Sequence, residues 1–329
     1  MDVRQWDGWG REEHLHGTSE PVLAAMPSIV QRTSISFNGQ VDPHAQVDAQ
    51  AGNQAGNHVE GRRLHDQLGA ETATLPRCPR APAGSRTPAH LNEETLLGDG
   101  LPHASRLRDG PVLMASPTVQ EALCFARACV KHQIGCVVDL RSSKDRQPAH
   151  ASPLDGDKSA FVNEDGVARF ARKGRETPLR GVGPGAAEDH VRKIELSLQP
   201  GRQTPAADGD APRDLSLSLD WIRVHVDDDE PISPQRLLDT SVHLARTAST
   251  AHVAFQCAQG QHTGATFAAA HALLEVHRRF PIFADELQDV VLDECLSIRR
   301  DRGPELFRPE DLASLMAFGR LMLEARDLP

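Results

Sequence analysis

The sequence predicts an α/β domain with a mixed central sheet flanked by helices, preceded by a disordered N-terminal region. Two observations support this fold class. Residues 111–140 have the pattern of a strand, an amphipathic helix and a buried strand, a unit typical of α/β proteins. Residues 191–198 and 215–226 alternate apolar and polar side chains, as antiparallel strands do. Because the first pattern favours parallel strands and the second antiparallel ones, we expect both in one sheet.

Composition excludes two classes of partner. The 329 residues carry 36 Lys and Arg against 46 Asp and Glu, a formal net charge of -10. That balance argues against nucleic-acid binding, which uses basic surfaces. No apolar run approaches the roughly 18 residues of a membrane-spanning helix, so we expect no membrane span. The 6 cysteines are irregularly spaced, without a CxxC pair, which favours reduced thiols over a zinc or redox site.

Residues 1–95 have the least apolar periodicity in the chain. The stretch 38–58 is almost wholly Gln, Asn, Ala, Gly, His and Asp, which bury too little apolar surface to offset the entropy of ordering them. We therefore expect 1–95 to be disordered and dispensable for folding, and the folded domain to span 96–329. The N-terminus has no basic segment followed by an apolar one, so we expect no Sec-type signal peptide.

Within the folded part, strands and helices are expected in sequence from residue 111 to residue 325. Apolar residues at helical spacing predict the helices, and short apolar or alternating runs predict the strands. Segments rich in Gly, Pro and charge predict loops. The expected strands are 111–115, 134–140, 191–198, 215–226 and 251–257, the helices 119–132, 233–246, 263–279, 284–297 and 309–325, and the long loops 147–190 and 199–212.

The segment 251–275 carries the strongest functional signal. A strand delivers Cys257 into a short loop that begins a helix, so we expect the thiol to lie among free backbone N–H groups at the positive end of the helix dipole. That environment lowers the pKa of a thiol and binds an oxyanion. The pattern predicts a thiolate that attacks a phosphate, although a cysteine at a strand end is also commonly a small core residue.

The same segment resembles the signature of the protein tyrosine phosphatases, which reads Cys, two residues, Gly, two residues, Arg, Ser or Thr, and Gly at the start of a helix. Cys257, Gly260, Thr263 and Gly264 are similar to it. Thirty residues upstream, the stretch DDDEP that begins at Asp227 looks like the family's acid loop, in which Asp, three residues and Pro occur at this spacing. The order of expected elements is also similar to that of the family.

The resemblance implies a protein tyrosine phosphatase-like fold and phosphoester hydrolysis without a cofactor or metal. The implied substrate is a phosphorylated host protein or a smaller phosphoester. Cys257 would be the nucleophile, Asp227 the general acid, and Thr263 would help to expel the thiolate in the second step. The implied phosphate-binding residues are Ala258, Gln259, Gly260, Gln261, His262 and Gly264. Arg299 and Arg302 also fit a family pattern before the last helix.

The loop departs from the family in its cationic residue. The family places Arg six residues after the Cys, whereas Thr263 stands at that count and His262 precedes the Thr-Gly pair, so the loop reads as one residue shorter. Arg binds two phosphoryl oxygens at once and keeps its charge, whereas His offers one donor and loses its charge near neutral pH. Two functions stay open: a phosphatase with weak or lost activity, and a pseudophosphatase that binds a partner or phosphorylated ligand without turnover.

Two further inferences rest on weaker signals. A metal-dependent hydrolase is an alternative, because 16 His and a run of three Asp offer ligands. However, there is no HExxH motif, and His271 and His277 are six residues apart and do not share a helix face. By analogy alone, a disordered tail before such a domain resembles the bacterial effectors that type III systems inject into the host cytoplasm. The analogy implies a secretion signal and a chaperone-binding site in the N-terminal region.

Overall fold

The computed structural model describes residues 43–74, 97, 101, 103–108, 110–142, 144–146, 151–156, 158–163, 166–179, 189–200, 214–227, 230–248, 252–303, 306–325 and 328. A compact unit spans Val47–Pro329, and a separate unit, Met1–Gln46, is described only over 43–46. The secretion signal and chaperone-binding site expected near the N-terminus lie outside the described residues.

The described residues form one mixed sheet and a set of helices. The strands are β1 (Ala104–Arg106), β2 (Val112–Ala115), β3 (Cys136–Asp139), β4 (Lys158–Asn163), β5 (Gly166–Pro178), β6 (His190–Pro200), β7 (Leu215–Arg223) and β8 (Val253–Cys257). The helices are α1 (Pro43–Thr74), α2 (Ala122–Lys131), α3 (Pro234–Thr247), α4 (His262–Arg279), α5 (Leu287–Arg302) and α6 (Pro309–Glu324). Among them, no helix is long and apolar enough to cross a membrane.

The sheet has the strand order β1-β2-β8-β3-β7-β6-β5-β4. Its centre is parallel, because β8 pairs with β2 and β3, and β3 with β7, in that sense. The remaining neighbours are antiparallel. The mixed α/β sheet predicted from the sequence is therefore confirmed, and the carboxyl ends of the four parallel strands lie at one edge.

Two apolar layers cover the sheet. Val138 and Phe255 belong to the layer that contains α3, α4, α5 and α6, whereas Val137 and Ala254 belong to the layer that contains α2. Successive side chains of a strand point to opposite faces. Because both faces are covered, β3 and β8 read as continuous apolar runs, as buried parallel strands do.

The long loop expected at 147–190 is wrong, because β4 and the whole of the thirteen-residue β5 lie within it. Ala168 and Phe170 of β5 are buried at the two-residue spacing of a strand, and the Phe170 ring stacks on Phe125 of α2 with 6.1 Å between centroids. The charged residues between and after these two obscured the alternation. β1 was also missed, since three residues are too few to show a period.

The disorder expected for 1–95 is wrong over Pro43–Thr74, which form α1. Leu64 and Leu68, one helical turn apart, are fully buried in the layer that contains α3 to α6. Two leucines and two valines are too few to give a helix of 32 residues a visible apolar period. Residues 75–96 lie outside the described residues, so the domain boundary at residue 96 stays a prediction.

The contact of α1 with α6 is close and partly ionic. A Cβ atom at Gly61 would lie 2.2 Å from the carbonyl oxygen of Pro309, so the helices meet at a position where only glycine fits. Arg320 of α6 contacts the carboxylate of Glu60 at 2.6 Å. The helix is therefore part of the packed structure around residues 60–68.

Candidate functional site

Cys257 is the last residue of β8. All five residues of this strand are buried, and it has parallel neighbours on both sides. The carbonyl oxygen of Cys257 accepts a hydrogen bond from the N–H of Ser116 at 2.9 Å. The strand therefore holds the thiol in a fixed position at the carboxyl edge of the sheet.

The loop after Cys257 turns sharply at Gly260. This glycine has a φ of +65°, and a Cβ there would lie 2.4 Å from a backbone nitrogen of β2, so a larger residue does not fit. The N–H groups of Gly260, Gln261 and Gly264 donate hydrogen bonds to Sγ of Cys257. Because α4 begins at His262, the positive end of its dipole also lies at the sulfur.

The Cys257 thiol is less acidic than its loop suggests. Burial raises its pKa, and this effect exceeds the lowering by the three N–H donors and by the charge of Arg302. The expectation of a lowered thiol pKa is therefore wrong. The N–H groups are present as predicted, but the sequence could not show how little solvent reaches the sulfur.

A buried arginine supports the loop from behind. Arg302, the last residue of α5, donates from Nη2 to the carbonyl oxygens of Gly260 at 2.9 Å and His103 at 2.8 Å, and from Nη1 to that of Leu113 at 3.2 Å. Burial lowers its pKa to about 10, so it remains charged near neutral pH. The guanidinium binds carbonyl oxygens of the protein, and it therefore does not take the place of a phosphate-binding arginine.

A pocket of about 290 Å³ lies over the thiol and contains most of the predicted site. Its lining includes Asp227 and, from the loop and the start of α4, Cys257, Ala258, Gln259, Gln261, His262 and Thr263. Gly260 and Gly264 do not line it, and their N–H groups point to the sulfur. The structure thus brings the candidate acid, nucleophile and loop together.

Three charged residues that the sequence did not single out also line this pocket: Asp145, Glu230 and Arg308. Asp145 accepts a hydrogen bond from the Ser142 hydroxyl at 2.8 Å. The Arg308 guanidinium contacts the buried Asp311 carboxylate at 3.2 Å. The position of Glu230 in the acid loop, and that of Asp145 just after a parallel strand, were the signals that could have found them.

The segment that carries Asp227 is anchored on both sides. Val226 and Ile232 are buried, and the N–H of His225 donates to the buried Asp189 carboxylate at 2.6 Å. An arginine of α3 contacts the same carboxylate at 3.2 Å. These contacts hold the exposed Asp227 at the rim of the pocket. Asp189 was not predicted, because it lies far from the acid loop in sequence.

His271, one of the two histidines considered as metal ligands, is a residue of the apolar core. His271 is buried in α4, with its ring centroid 6.3 Å from that of Phe255. Burial lowers its pKa to about 4, so it is a neutral core residue. Within the part of the chain that the structure describes, no group of three or more His, Cys, Asp or Glu side chains is arranged to hold a metal ion.

Solved structures share this arrangement of elements. TbPTP1, a protein tyrosine phosphatase of Trypanosoma brucei, matches with a TM-score of 0.58 and 16% identity over 88% of this chain and 95% of its own. This chain has the protein tyrosine phosphatase fold. PTPN18, solved in complex with HER2 phosphopeptides, matches with a TM-score of 0.58 and 13% identity over 84% of this chain and 96% of its own. TcPTP1 of Trypanosoma cruzi matches with a TM-score of 0.57 and 18% identity, covering 82% and 92%.

The phosphatase fold confirms the resemblance predicted from the sequence at the level of structure. No protein-family model matches the sequence, and no curated protein is similar to it by sequence. At these low identities the structural likeness establishes the fold, and the roles of individual residues depend on the geometry described above.

Proposed function

We propose that this chain is a cysteine-dependent phosphohydrolase that acts slowly on phosphoesters. The convergence of three backbone N–H groups on Sγ of Cys257, in a pocket that Asp227 also lines, carries the proposal. Convergent N–H groups at a helix N-terminus favour an oxyanion, and a thiol held there is placed to attack phosphorus. The complex of PTPN18 with phosphopeptides supports phosphorylated proteins as the substrate class.

The proposed reaction has two steps. The Cys257 sulfur attacks phosphorus, the P–O bond to the leaving group breaks, and Asp227 protonates the leaving oxygen. Water then attacks the phosphocysteine, Asp227 accepts a proton from that water, and inorganic phosphate leaves as the thiolate is restored. The Thr263 hydroxyl, which lines the pocket, would hydrogen-bond the departing thiolate. The loop N–H groups would hold the phosphoryl oxygens in both transition states.

Three features of the pocket support a low rate. The loop from Cys257 to Gly264 contains no arginine, so it lacks the bidentate cation that the family uses. Burial raises the pKa of the thiol, which reduces the thiolate fraction near neutral pH. The carboxylates of Asp145, Asp227 and Glu230 all line the pocket, and each of them repels a phosphate dianion when ionised.

The experiment is hydrolysis of a small aryl phosphate by the purified full chain between pH 5 and 8. Asp227→Asn should lower the rate by about a hundredfold or more, because the leaving oxygen then receives no proton from the protein. Glu230→Gln is the matched control, since Glu230 lines the same pocket but is not the proposed acid. Equal rates for the wild type and Asp227→Asn would remove Asp227 from the mechanism.

A second candidate function is a pseudophosphatase that binds a phosphorylated or other partner without turnover. The specific observation that favours it is the combination of three lining carboxylates with the absence of the signature arginine. It predicts that the folded wild type hydrolyses no aryl phosphate at any pH in this range. Retention of a phosphopeptide on the immobilised wild type, without release of phosphate, would then establish binding.

Delivery of this chain from a bacterium into a host cytoplasm stays a prediction that rests on analogy alone. It requires that residues 1–95 direct export and, by the same analogy, bind a secretion chaperone. Fusion of 1–95 to a reporter enzyme, followed by measurement of the reporter inside host cells, tests it. Equal delivery of the reporter without this segment would contradict it.

A further inference from the structure

Three arginines lie close together at the carboxyl edge of β3 and β7. Arg223, the last residue of β7, is directly opposite Asp139 of β3 in the register of the sheet, and Arg192 of β6 is opposite Trp221 of β7. Arg146 belongs to the short 3-10 turn Lys144–Arg146 that follows β3. We refer to Arg146, Arg192 and Arg223 as the arginine cluster.

The cluster lies on the opposite face of the sheet from the thiol. Trp221 belongs to the apolar layer that contains α2, whereas Cys257 belongs to the layer that contains α3 to α6. The guanidinium carbons of Arg192 and Arg223 lie 4.8 Å and 5.7 Å from the centroid of the Trp221 ring. Two cations therefore share one aromatic surface, at a place distinct from the pocket over Cys257.

Several guanidinium nitrogens of the cluster are buried without a hydrogen-bond partner among the described residues. They are Nε and Nη2 of Arg146, Nη1 of Arg192 and Nε of Arg223. An unpaired buried donor carries a desolvation penalty, and the penalty is larger for a charged group. Four such atoms lie in one cluster, where a single acceptor from outside would satisfy several of them.

The neighbouring carboxylates are already engaged. Arg141 contacts Asp139 at 2.8 Å and Asp155 at 2.7 Å, and Glu176 pairs with Arg192. Among the described residues, neither Arg146 nor Arg223 forms an ion pair. The local charge is therefore positive.

The electrostatics of Arg146 agree with this geometry. Burial has the largest effect on the pKa of Arg146 and lowers it. The charge of Asp139 raises this pKa, and the charges of Arg223 and Arg141 lower it further. A cation surrounded by other cations is stabilised by an anion that contacts several of them at once. Both Arg146 and Arg223 keep part of their surface exposed, whereas their unpartnered nitrogens are buried, so these side chains must shift for an anion to contact the donors.

We propose that the arginine cluster binds an oxyanion, the phosphate, sulfate or carboxylate group of a ligand. Planar guanidinium groups bind such oxyanions through paired N–H donors, and the unpartnered nitrogens of Arg146 and Arg223 supply them. Because Asp145 lines the Cys257 pocket and precedes Arg146, a bound anion would also fix the turn that places Asp145. The proposal is independent of the phosphohydrolase activity.

Isothermal titration of the full chain with sodium sulfate, inorganic phosphate and acetate, at matched ionic strength in chloride, tests this site. Arg146→Gln and Arg223→Gln should each weaken binding by about tenfold or more, which corresponds to about 1.4 kcal/mol. Arg175→Gln, at an exposed position of β5, is the control and should bind as the wild type does. Comparing sulfate and phosphate with acetate distinguishes a phosphate-type ligand from a carboxylate.

Thermal melting of the same variants is the second measurement. In chloride alone, Arg223→Gln should melt no lower than the wild type, because it removes a half-buried cation that forms no ion pair among the described residues. Sulfate should raise the melting temperature of the wild type and Arg175→Gln more than that of Arg223→Gln, although sulfate stabilises all of them to some extent.

Two outcomes would overturn the proposal. The absence of anion binding would show that the cluster is not a binding site. Binding that both cluster substitutions leave unchanged would show that the anion binds elsewhere, as at the N–H groups of the Cys257 loop. A lower melting temperature of Arg223→Gln in chloride, with an unaltered response to sulfate, would show that the guanidinium is satisfied within the protein itself.

Discussion

At the scale of single residues, the proposed reaction depends on the sulfur of Cys257, whose ionisation is favoured by its polar neighbours and opposed by its burial. Three N–H groups and the charge of Arg302 favour the thiolate of Cys257, and burial disfavours it more strongly. Arg302 acts on the sulfur through its charge, while its guanidinium donors bind carbonyl oxygens of the loop and of a neighbouring segment. The nucleophile is therefore well placed but weakly ionised.

The ionisation of Cys257 can be measured directly. We expect its alkylation by iodoacetamide to rise with pH later than that of an ordinary cysteine, whose pKa is about 8.5, because burial raises the pKa of this thiol. Mass spectrometry of the peptide that contains Cys257, between pH 6 and 10, gives the midpoint, and the half-buried Cys124 serves as the internal reference. Full labelling of Cys257 at pH 6 would contradict the account.

His271 predicts how stability depends on pH. Its pKa is about 4 in the folded protein and about 6.5 when unfolded, so the unfolded chain takes up the proton first as the pH falls. The stabilisation is complete above pH 6.5 and is lost towards pH 4, by roughly 3 kcal/mol. His271→Leu should flatten this part of a urea-unfolding series, whereas His58→Leu, at an exposed position, should not. An unchanged pH dependence in His271→Leu would contradict the assignment.

At the scale of elements, the strand, loop and helix around Cys257 were predictable from local sequence. The apolar run predicts β8, Gly260 predicts a turn, and the Ala-rich segment predicts α4. The spacing of the acid loop identified Asp227. The anchoring of that loop by Asp189 was not predictable, because the contact joins the start of β6 to the end of β7. The raised thiol pKa was missed for a similar reason, since burial is a property of the assembled layers.

The start of α4 offers a direct test of the missing cation. Thr263 stands six residues after Cys257 and lines the pocket together with Asp145, which gives an introduced guanidinium a carboxylate to orient it. Thr263→Arg removes the hydroxyl proposed to assist the departing thiolate, but the bidentate cation acts in both steps, so the variant should raise aryl-phosphate hydrolysis by about tenfold or more. Gln259→Arg, which adds the same charge elsewhere in the pocket lining, is the control and should give a smaller gain. No gain in folded Thr263→Arg would indicate that the pocket serves another purpose.

At the scale of the whole molecule, α1 belongs to the folded structure although its sequence gives little sign of it. Leu64 and Leu68 are fully buried, and Arg299 of α5 donates to the Thr72 hydroxyl at 3.0 Å. The helix covers apolar surface of the layer that also positions α4. Loss of α1 should therefore weaken the domain even though the helix is remote from Cys257 in sequence.

Truncation separates the two parts of the N-terminal region. A chain that starts at residue 96 should melt several degrees lower than the full chain or fail to express in soluble form, whereas a chain that starts at residue 47 should melt close to it. Leu64→Ala and Leu68→Ala should each lower the free energy of unfolding by about 2–5 kcal/mol, because each removes a fully buried side chain. Equal melting temperatures for the full chain and the chain from residue 96 would show that α1 adds no stability.

The proposed function requires that this chain hydrolyse phosphoesters through Cys257. The most direct test is the rate of aryl-phosphate hydrolysis by the full chain and by Cys257→Ser, measured under identical conditions and with both proteins shown to be folded. We expect slow turnover by the wild type, increasing with pH as the thiol of Cys257 ionises, and no turnover by Cys257→Ser. Equal turnover by the two proteins, or none by the wild type, would contradict it.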